Sequence, residues 1–198
     1  MKKFLILLAI LVLSATASMA QLKTITDYLL AMPNAAYSRD ASGAVIKGKA
    51  KADAYRRSLI KIEDVKNGYL RLEGPWEGWA EIALFRKSGG GYIVGHAESG
   101  CGPACSGSVK FWSVNGSKWT NITKSVFKEL SAGDAARLFN RKKAAEVDAA
   151  TARGFAFYYL LPRNGRTVNA ACNECSGSGG NDFMIAEWEF NGARFERK

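Results

Sequence analysis

Short segments with strand-like patterning, separated by glycine-rich turns, most constrain the fold of this chain. GYLRL, WAEIALFR, YIVGHAE and VKFWSV alternate or carry aromatic residues, and they span 68–72, 79–86, 92–98 and 109–114. Asn115-Gly116 follows the last of them. This dipeptide is typical of a two-residue hairpin turn, because both residues tolerate positive φ at its centre. The pattern predicts an antiparallel sheet.

The same order of segments recurs later in the chain. Strand-like segments at 154–162, 166–172 and 183–190 precede Asn191-Gly192 and a final segment at 193–198. A shift of 76 positions aligns Trp112 with Trp188 and one Asn-Gly pair with the other. We therefore predict two tandem, related four-stranded meanders, in 68–122 and 154–198. Chance similarity between β-hairpins is the alternative explanation.

Helical patterns are confined to three stretches. Residues 24–32 predict a short N-terminal helix, 51–60 predict one or two helical turns, and 132–146 predict a helix that links the two meanders. Residues 34–50 are rich in small and polar side chains and predict a loop. Phe111 and Trp112 point to opposite sides of one strand, so both faces of the sheet are expected to be covered. The predicted fold class is α+β, predominantly antiparallel β.

The N-terminus has the three parts of a secretory signal peptide. Two lysines precede the apolar run Phe4–Leu13, and Ser18-Met19-Ala20 fits the small-x-small rule for cleavage before Gln21. The apolar run is too short for a membrane span, which needs about 20 residues. We predict a signal peptide over 1–20 and a single exported domain over 21–198, periplasmic or secreted and without a transmembrane anchor.

The formal net charge of +10 restricts the classes of partner. Removal of Lys2 and Lys3 with the signal peptide would lower it by two, to +8. Apart from a dense run at 137–143, the basic residues are scattered and many alternate with acids, so nucleic acid is not an expected partner. An unknown protein, or an anionic glycan or envelope surface, is expected instead. A purely solubilising charge is the alternative.

The four cysteines form two close pairs, Cys101/Cys105 and Cys172/Cys175. Export favours disulfides, and local pairing within each glycine-rich loop is the simplest of the three connectivities. Crossed pairs that join the two meanders are an alternative. A zinc site of four cysteines has the right ligand count, and a redox role has the Cys-x-x-Cys spacing of the second pair. We expect structural disulfides, no metal and no cofactor.

Five residues are candidates for a binding site. Trp76 and Trp79 lie in EGPWEGW, a Gly/Pro segment in which exposed tryptophan would mark a contact. Tyr92 adds a third aromatic residue nearby in sequence. His96 is the only histidine, and Glu98 lies two residues further, on the same face of the expected strand. A buried tryptophan and a solvated strand end are the structural alternatives.

These observations favour a binding function over catalysis. We expect a disulfide-stapled, β-rich binding module that recognises a protein, glycan or envelope surface. The alternative is a hydrolase that acts on an envelope polymer with His96 and nearby acids, although the sequence assigns no catalytic residue. A structural envelope component without a ligand is a third possibility.

Overall fold

The structure is a computed structural model that describes residues 24–33, 35–102, 104–143, 154–172 and 182–198. The predicted signal peptide, its cleavage before Gln21, the end of the linking helix beyond 143 and Cys175 all lie outside the described residues. Among the described residues, no helix has both the length and the apolar character needed to cross a bilayer.

The first sheet has six antiparallel strands that lie in chain order. The strands are β1 (Ile60–Asp64), β2 (Tyr69–Leu72), β3 (Gly78–Arg86), β4 (Tyr92–Cys101), β5 (Cys105–Asn115) and β6 (Lys118–Asn121). The longest ladders join β3 to β4 and β4 to β5, so β4 lies at the centre of the sheet.

The second sheet has four antiparallel strands, again in chain order. The strands are β7 (Tyr158–Leu160), β8 (Thr167–Cys172), β9 (Phe183–Phe190) and β10 (Phe195–Arg197). The described helices are α1 (Ile25–Ala31), a 3-10 turn (Ala35–Ser38), α2 (Lys49–Ser58), α3 (Thr123–Val126) and α4 (Ala132–Lys143). The protein is thus mostly antiparallel β with a few short helices, as the sequence predicts.

The predicted layout of two four-stranded meanders differs from the observed sheets. The first sheet has two strands more than the four predicted, because the range 68–122 already holds the five strands β2 to β6 and β1 is added to them. β1 forms because α2 ends at Ser58 and the chain then extends along β2. The alternating pattern of Ile60-Lys61-Ile62 is too short to stand out after a helical stretch. Each cysteine-bearing connection comes before the last two strands of its sheet, between β4 and β5 in the first and between β8 and β9 in the second. Descent from one duplicated unit stays a prediction.

The two Asn-Gly turns differ from each other. Asn115 pairs with Lys118, so the central residues of the first turn are Gly116, with a φ of 58°, and Ser117. The prediction that Asn115 is a central residue is therefore wrong. In the second turn Phe190 pairs with Phe195, and the loop 191–194 is longer. Its Asn191 side-chain oxygen accepts hydrogen bonds from the backbone amides of Ala193 and Arg194, a role that asparagine often takes in turns.

Each face of the first sheet is buried against a different partner. Even-numbered residues of β2, β3 and β4, such as Leu70, Ile82 and Val94, pack under the N-terminal helices. Odd-numbered residues, such as Phe85 of β3, pack against the second sheet in a core rich in aromatic rings. The rings of Phe85 and Phe195 are 4.9 Å apart between centroids and nearly perpendicular. The expectation that both faces are covered is confirmed.

A buried carboxylate also joins the two sheets. Glu81 of β3 is 3% exposed, and its side chain accepts a hydrogen bond of 2.7 Å from the backbone amide of Leu161, just after β7. The second oxygen accepts one of 2.9 Å from the Tyr69 hydroxyl. Desolvation raises the pKa of Glu81, although both hydrogen bonds and the nearby Arg71 oppose the rise. The two acceptor bonds compensate part of the cost of burying this group.

The N-terminal layer, which consists of α1, the 3-10 turn and α2, is held together by a buried arginine. The Arg56 guanidinium, on α2, donates hydrogen bonds of 3.1 and 2.7 Å to the carbonyls of Leu29 and Leu30 at the end of α1. It also reaches the carbonyl of Tyr37 at 3.5 Å. Terminal helix carbonyls have no partner within the helix and favour a positive charge beside them. Arg56 therefore fixes the 3-10 turn and α1 relative to α2.

Replacement of Arg56 should destabilise the protein strongly. In Arg56→Met the carbonyls of Leu29 and Leu30 lose their donor, so we expect the free energy of unfolding to fall by roughly 2–3 kcal/mol. Arg57→Met is the matched control, because Arg57 is adjacent on the same helix and exposed. Urea unfolding of both variants measures the difference. Equal midpoints for the two variants would contradict the role given to Arg56.

A second prediction concerns the contact between β5 and the segment before β7. The Gly107 amide donates to the Phe157 carbonyl at 2.9 Å, and a Cβ on Gly107 would lie 2.5 Å from the Glu98 carbonyl oxygen. Gly107→Ala should therefore lower the free energy of unfolding by about 1–3 kcal/mol. In Gly89→Ala the added methyl group meets open space, and we expect little change. Thermal unfolding of Gly107→Ala and Gly89→Ala measures the difference. Equal melting temperatures for the two variants would contradict this prediction.

Candidate binding pocket

A surface pocket lies where the N-terminal layer meets the first sheet. It has a volume of about 200 Å³ and is lined by Tyr37, Trp76, Ala80 and Glu98. Tyr37 comes from the 3-10 turn, and Trp76 comes from the loop between β2 and β3. Ala80 and Glu98 pair directly across β3 and β4. Two rigid strands, a turn and a loop thus converge on one small cavity.

A neighbouring glycine sets the position of the Trp76 ring. The indole lies so close over Gly74 that a Cβ there would be 1.8 Å from a ring carbon. On its other side, the Trp76 ring is 6.1 Å from the Tyr37 ring between centroids, with planes tilted by 39°. The side chain is partly exposed, so one part of the indole packs on the protein and another meets the pocket.

His96 lies behind Tyr37 at the inner end of the pocket. The residue is 3% exposed, and its Nε2 atom is 2.7 Å from the Tyr37 hydroxyl. Burial lowers the pKa of His96 to about 4, although the negative charge of Glu98 opposes this shift. The imidazole is therefore neutral at neutral pH, and one ring nitrogen is a donor while the other is an acceptor.

Tyr37 connects His96 to Glu98. Its hydroxyl is hydrogen-bonded to the Glu98 side chain as well, and burial together with the Glu98 charge raises the pKa of Tyr37 far above its ordinary value. An ionised carboxylate only accepts hydrogen bonds, so the phenol donates to Glu98. The hydrogen-bond network then assigns the imidazole proton to Nε2, which donates to the phenol oxygen. Glu98 is 38% exposed and lies 3.5 Å from His96 Nε2.

The structure brings together three of the five predicted residues. Trp76 and Glu98 line the pocket, and His96 supports it through Tyr37. Trp79 lies on the opposite face of the sheet, where its ring is 5.1 Å from that of Tyr158. Tyr92 is exposed at the far end of β4, opposite Arg86. Trp79 and Tyr92 thus lie apart from this pocket, and a role for either of them in binding stays a prediction.

Tyr37 is the residue of this site that sequence reasoning missed. It lies in a segment that predicts a loop, between small residues and without strand or helix periodicity. Nevertheless it is 2% exposed, one of the most buried side chains of the N-terminal layer. A single aromatic residue after two alanines is the signal in the sequence, and it does not indicate which strand this residue contacts.

The first cysteine pair lies beside Trp79 and does not line the pocket. Cys101 and Cys105 face each other at the end of the β4–β5 hairpin and are joined by a disulfide. The prediction of local pairing is confirmed for this pair, and a zinc site that uses these two sulfurs is ruled out because they are bonded to each other. Cys172 is also disulfide-bonded. Within the described ranges, no group of three or more His, Cys, Asp or Glu could hold a metal ion.

Comparison with known proteins gives a likeness of structure. No protein-family model matches the sequence, and no curated protein matches it significantly. A solved structure of a domain of an uncharacterized protein from Porphyromonas gingivalis W83 is similar, with a TM-score of 0.51. The alignment covers 88% of this chain and 97% of that domain at 11% identity. The likeness is one of fold alone.

The buried histidine should make stability depend on pH. The pKa of His96 is about 4 in the folded protein, against an ordinary value of 6.5. As the pH falls below 6.5, the unfolded chain takes up this proton first, so stability present above 6.5 is lost between 6.5 and 4. We expect His96 to lower the free energy of unfolding by roughly 2 kcal/mol between pH 7.5 and pH 5.

His96→Gln isolates this contribution, because glutamine can donate and accept hydrogen bonds and does not titrate. Urea unfolding at pH 7.5 and pH 5 should show a smaller loss of stability for the variant than for the wild-type protein. Equal losses for both proteins would show that His96 does not cause the dependence.

Proposed function

We propose that the protein is an exported binding module that recognises a protein, glycan or envelope surface through the pocket at Tyr37, Trp76 and Glu98. The observation that carries this proposal is the pairing of two aromatic rings with a partly exposed carboxylate in one cavity. Binding sites commonly combine apolar and aromatic walls with a few fixed polar groups. The pocket has this composition.

The groups of the pocket are held in place by the residues around them. Glu98 lies on the central strand of the first sheet and is bonded to Tyr37, which in turn contacts buried His96. Arg56 fixes the turn that carries Tyr37, and the absence of a side chain on Gly74 allows the Trp76 ring to pack closely against the loop. Groups that are ordered before binding lose less entropy when a partner docks, which raises affinity.

Charge and cysteine chemistry support an exported, surface-directed role. The formal net charge is +10, or +8 once Lys2 and Lys3 are removed with the predicted signal peptide, and it favours association with anionic surfaces. The Cys101–Cys105 disulfide is typical of proteins that reach an oxidising compartment. On this proposal the overall charge brings the protein to an envelope surface, and the pocket provides the specific contact.

The hydrolase alternative has weaker support. His96 is buried behind the Tyr37 side chain, so a substrate in the pocket would meet the phenol and not the imidazole. Hydrolysis by paired acids requires two carboxyl groups that flank the reacting bond. Among the described residues that line the pocket, Glu98 is the sole carboxylate. The geometry therefore favours binding over acid–base catalysis.

Loss of the indole should weaken association with an envelope surface. In Trp76→Ala we expect the fraction of protein that sediments with isolated bacterial envelopes to fall by an amount that corresponds to roughly tenfold weaker binding. Tyr92→Ala is the matched control, since Tyr92 is an exposed aromatic residue at the far end of β4, on the face that also carries Glu98. This variant should sediment like the wild-type protein.

Two outcomes would overturn the proposal. One is equal sedimentation of Trp76→Ala, Tyr92→Ala and the wild-type protein. The other is turnover of an envelope polymer by the wild-type protein that is abolished in Glu98→Gln, which would establish the hydrolase instead.

A further inference from the structure

We propose that a second surface of the protein, an aromatic patch formed by Tyr28, Tyr92, Trp112 and Trp119, docks an acidic segment of a partner protein that carries an apolar anchor side chain. The patch is separate from the pocket, so the inference goes beyond the proposed function and does not depend on it. Three observations support it: the clustering of the four rings, the burial of the indole nitrogens and the charge of the hairpins that carry the patch.

The four rings lie together at the margin of the N-terminal layer. Trp112 of β5 and Trp119 of β6 are on the face of the first sheet that this layer covers, and their ring centroids are 6.1 Å apart. The Tyr28 ring of α1 lies 6.4 Å from that of Trp119. Burial raises the pKa of Tyr28 and the nearby Tyr92 raises it further, so these two tyrosines are also neighbours. One helix and three strands thus contribute to a single aromatic patch.

The patch is open to solvent although its rings contact one another. Tyr92 is 42% exposed, and Tyr28, Trp112 and Trp119 are half-buried. Single apolar side chains are common on protein surfaces, whereas a contiguous group of them indicates an interaction site. Tryptophan, tyrosine and arginine are also the residues most enriched among those that contribute most to the affinity of protein interfaces.

The orientation of the rings favours an apolar side chain over a sugar. The nitrogens of Trp112 and Trp119 are buried, so the exposed part of each indole is carbon and offers no hydrogen bond. The two indoles are inclined by 71°, and Tyr28 is inclined by 79° to Trp119, so these three rings do not form one flat platform. Sugar hydroxyls would lose water here without a replacement hydrogen bond. An aromatic or aliphatic side chain loses none, and an aromatic ring also packs well edge to face.

The two hairpins that carry most of the patch are basic. They are formed by residues 82–97 and 109–122, which include no aspartate or glutamate. These residues include four cations, Arg86, Lys87, Lys110 and Lys118. Arg86 lies directly across from Tyr92 and is exposed. The carboxylates of an acidic partner would meet these positive charges around the rings, which speeds association and selects against basic partners.

Two acids outside these hairpins oppose an anionic partner. Asp27 precedes Tyr28 on α1, and its carboxylate accepts a hydrogen bond of 2.8 Å from the Thr24 amide at the start of that helix. The positive end of the helix dipole compensates part of its charge. Glu98 is six residues from Tyr92 along β4, which corresponds to about 20 Å of extended strand. The pocket and the patch are therefore far enough apart to be occupied at the same time.

Selection of peptides tests the chemistry of the partner. Short random peptides displayed on phage are selected for binding to the wild-type protein at low salt. We expect the enriched peptides to combine several acids with an aromatic or leucine side chain. Replacement of the acids by glutamine, or of the apolar anchor by alanine, should each weaken binding by roughly tenfold. Enrichment of basic or neutral peptides, or of no peptide, would overturn the inference.

Variants of the protein test the location of the site. Tyr92→Ala and Arg86→Met should each weaken binding of an enriched peptide by roughly fivefold or more. Both side chains are exposed, and urea unfolding checks that the variants remain folded. Trp76→Ala in the pocket and Arg141→Met at an exposed site on α4 are the matched controls, and we expect neither to change peptide binding. Equal affinities of Tyr92→Ala and the wild-type protein would contradict the inference.

Vesicles distinguish a protein partner from a lipid surface. Phosphatidylcholine vesicles with and without phosphatidylglycerol are sedimented with the wild-type protein and with Tyr92→Ala. We expect the two proteins to sediment alike. A loss in Tyr92→Ala that requires phosphatidylglycerol would show that the patch binds anionic lipid and would overturn the protein partner. If no peptide binds while Trp76→Ala still loses envelope sedimentation, this inference fails and the role of the pocket stands.

Discussion

The first sheet is apolar on both faces, and this constraint determines the arrangement of the rest of the molecule. Alternate residues of β2, β3 and β4 point to two separate cores, one under the N-terminal helices and one against the second sheet. A sheet with two apolar faces gains stability only when both are removed from water. The N-terminal layer is therefore part of the fold, although most of its sequence is small and polar.

The pocket follows from this layered arrangement. His96 and Glu98 lie on the helical face of β4, whereas Ala97 between them points into the core of the two sheets. At Glu98 the covering layer ends, so that the side chain is partly exposed while His96, two residues earlier, is fully covered. β4 thus provides the buried His96 and the partly exposed Glu98 on the same face of the sheet. The 3-10 turn that carries Tyr37 covers this face of the sheet and closes the cavity.

The sequence predicts the strands well because alternation and glycine turns act locally. It also places Trp76, His96 and Glu98 among the candidates, since strand periodicity puts the last two on one face. It does not separate Trp76 from Trp79, because both lie in one Gly/Pro segment and the sequence does not show that the Trp79 ring packs on Tyr158 of the second sheet. Tyr37 and Arg56 depend on long-range contacts with His96 and with α1 that no local pattern encodes.

The Glu81 carboxylate has a consequence for the alignment of the strands. If β3 slipped by one residue, Glu81 would turn toward the helices and an apolar neighbour would replace it between the sheets. The Leu161 amide and the Tyr69 hydroxyl would then lose their acceptor, and a charge would be buried among apolar side chains. The native alignment satisfies all three groups, and a slip by one residue breaks both hydrogen bonds. A single acid inside an aromatic core therefore penalises misaligned sheets, which uniform apolar packing would tolerate.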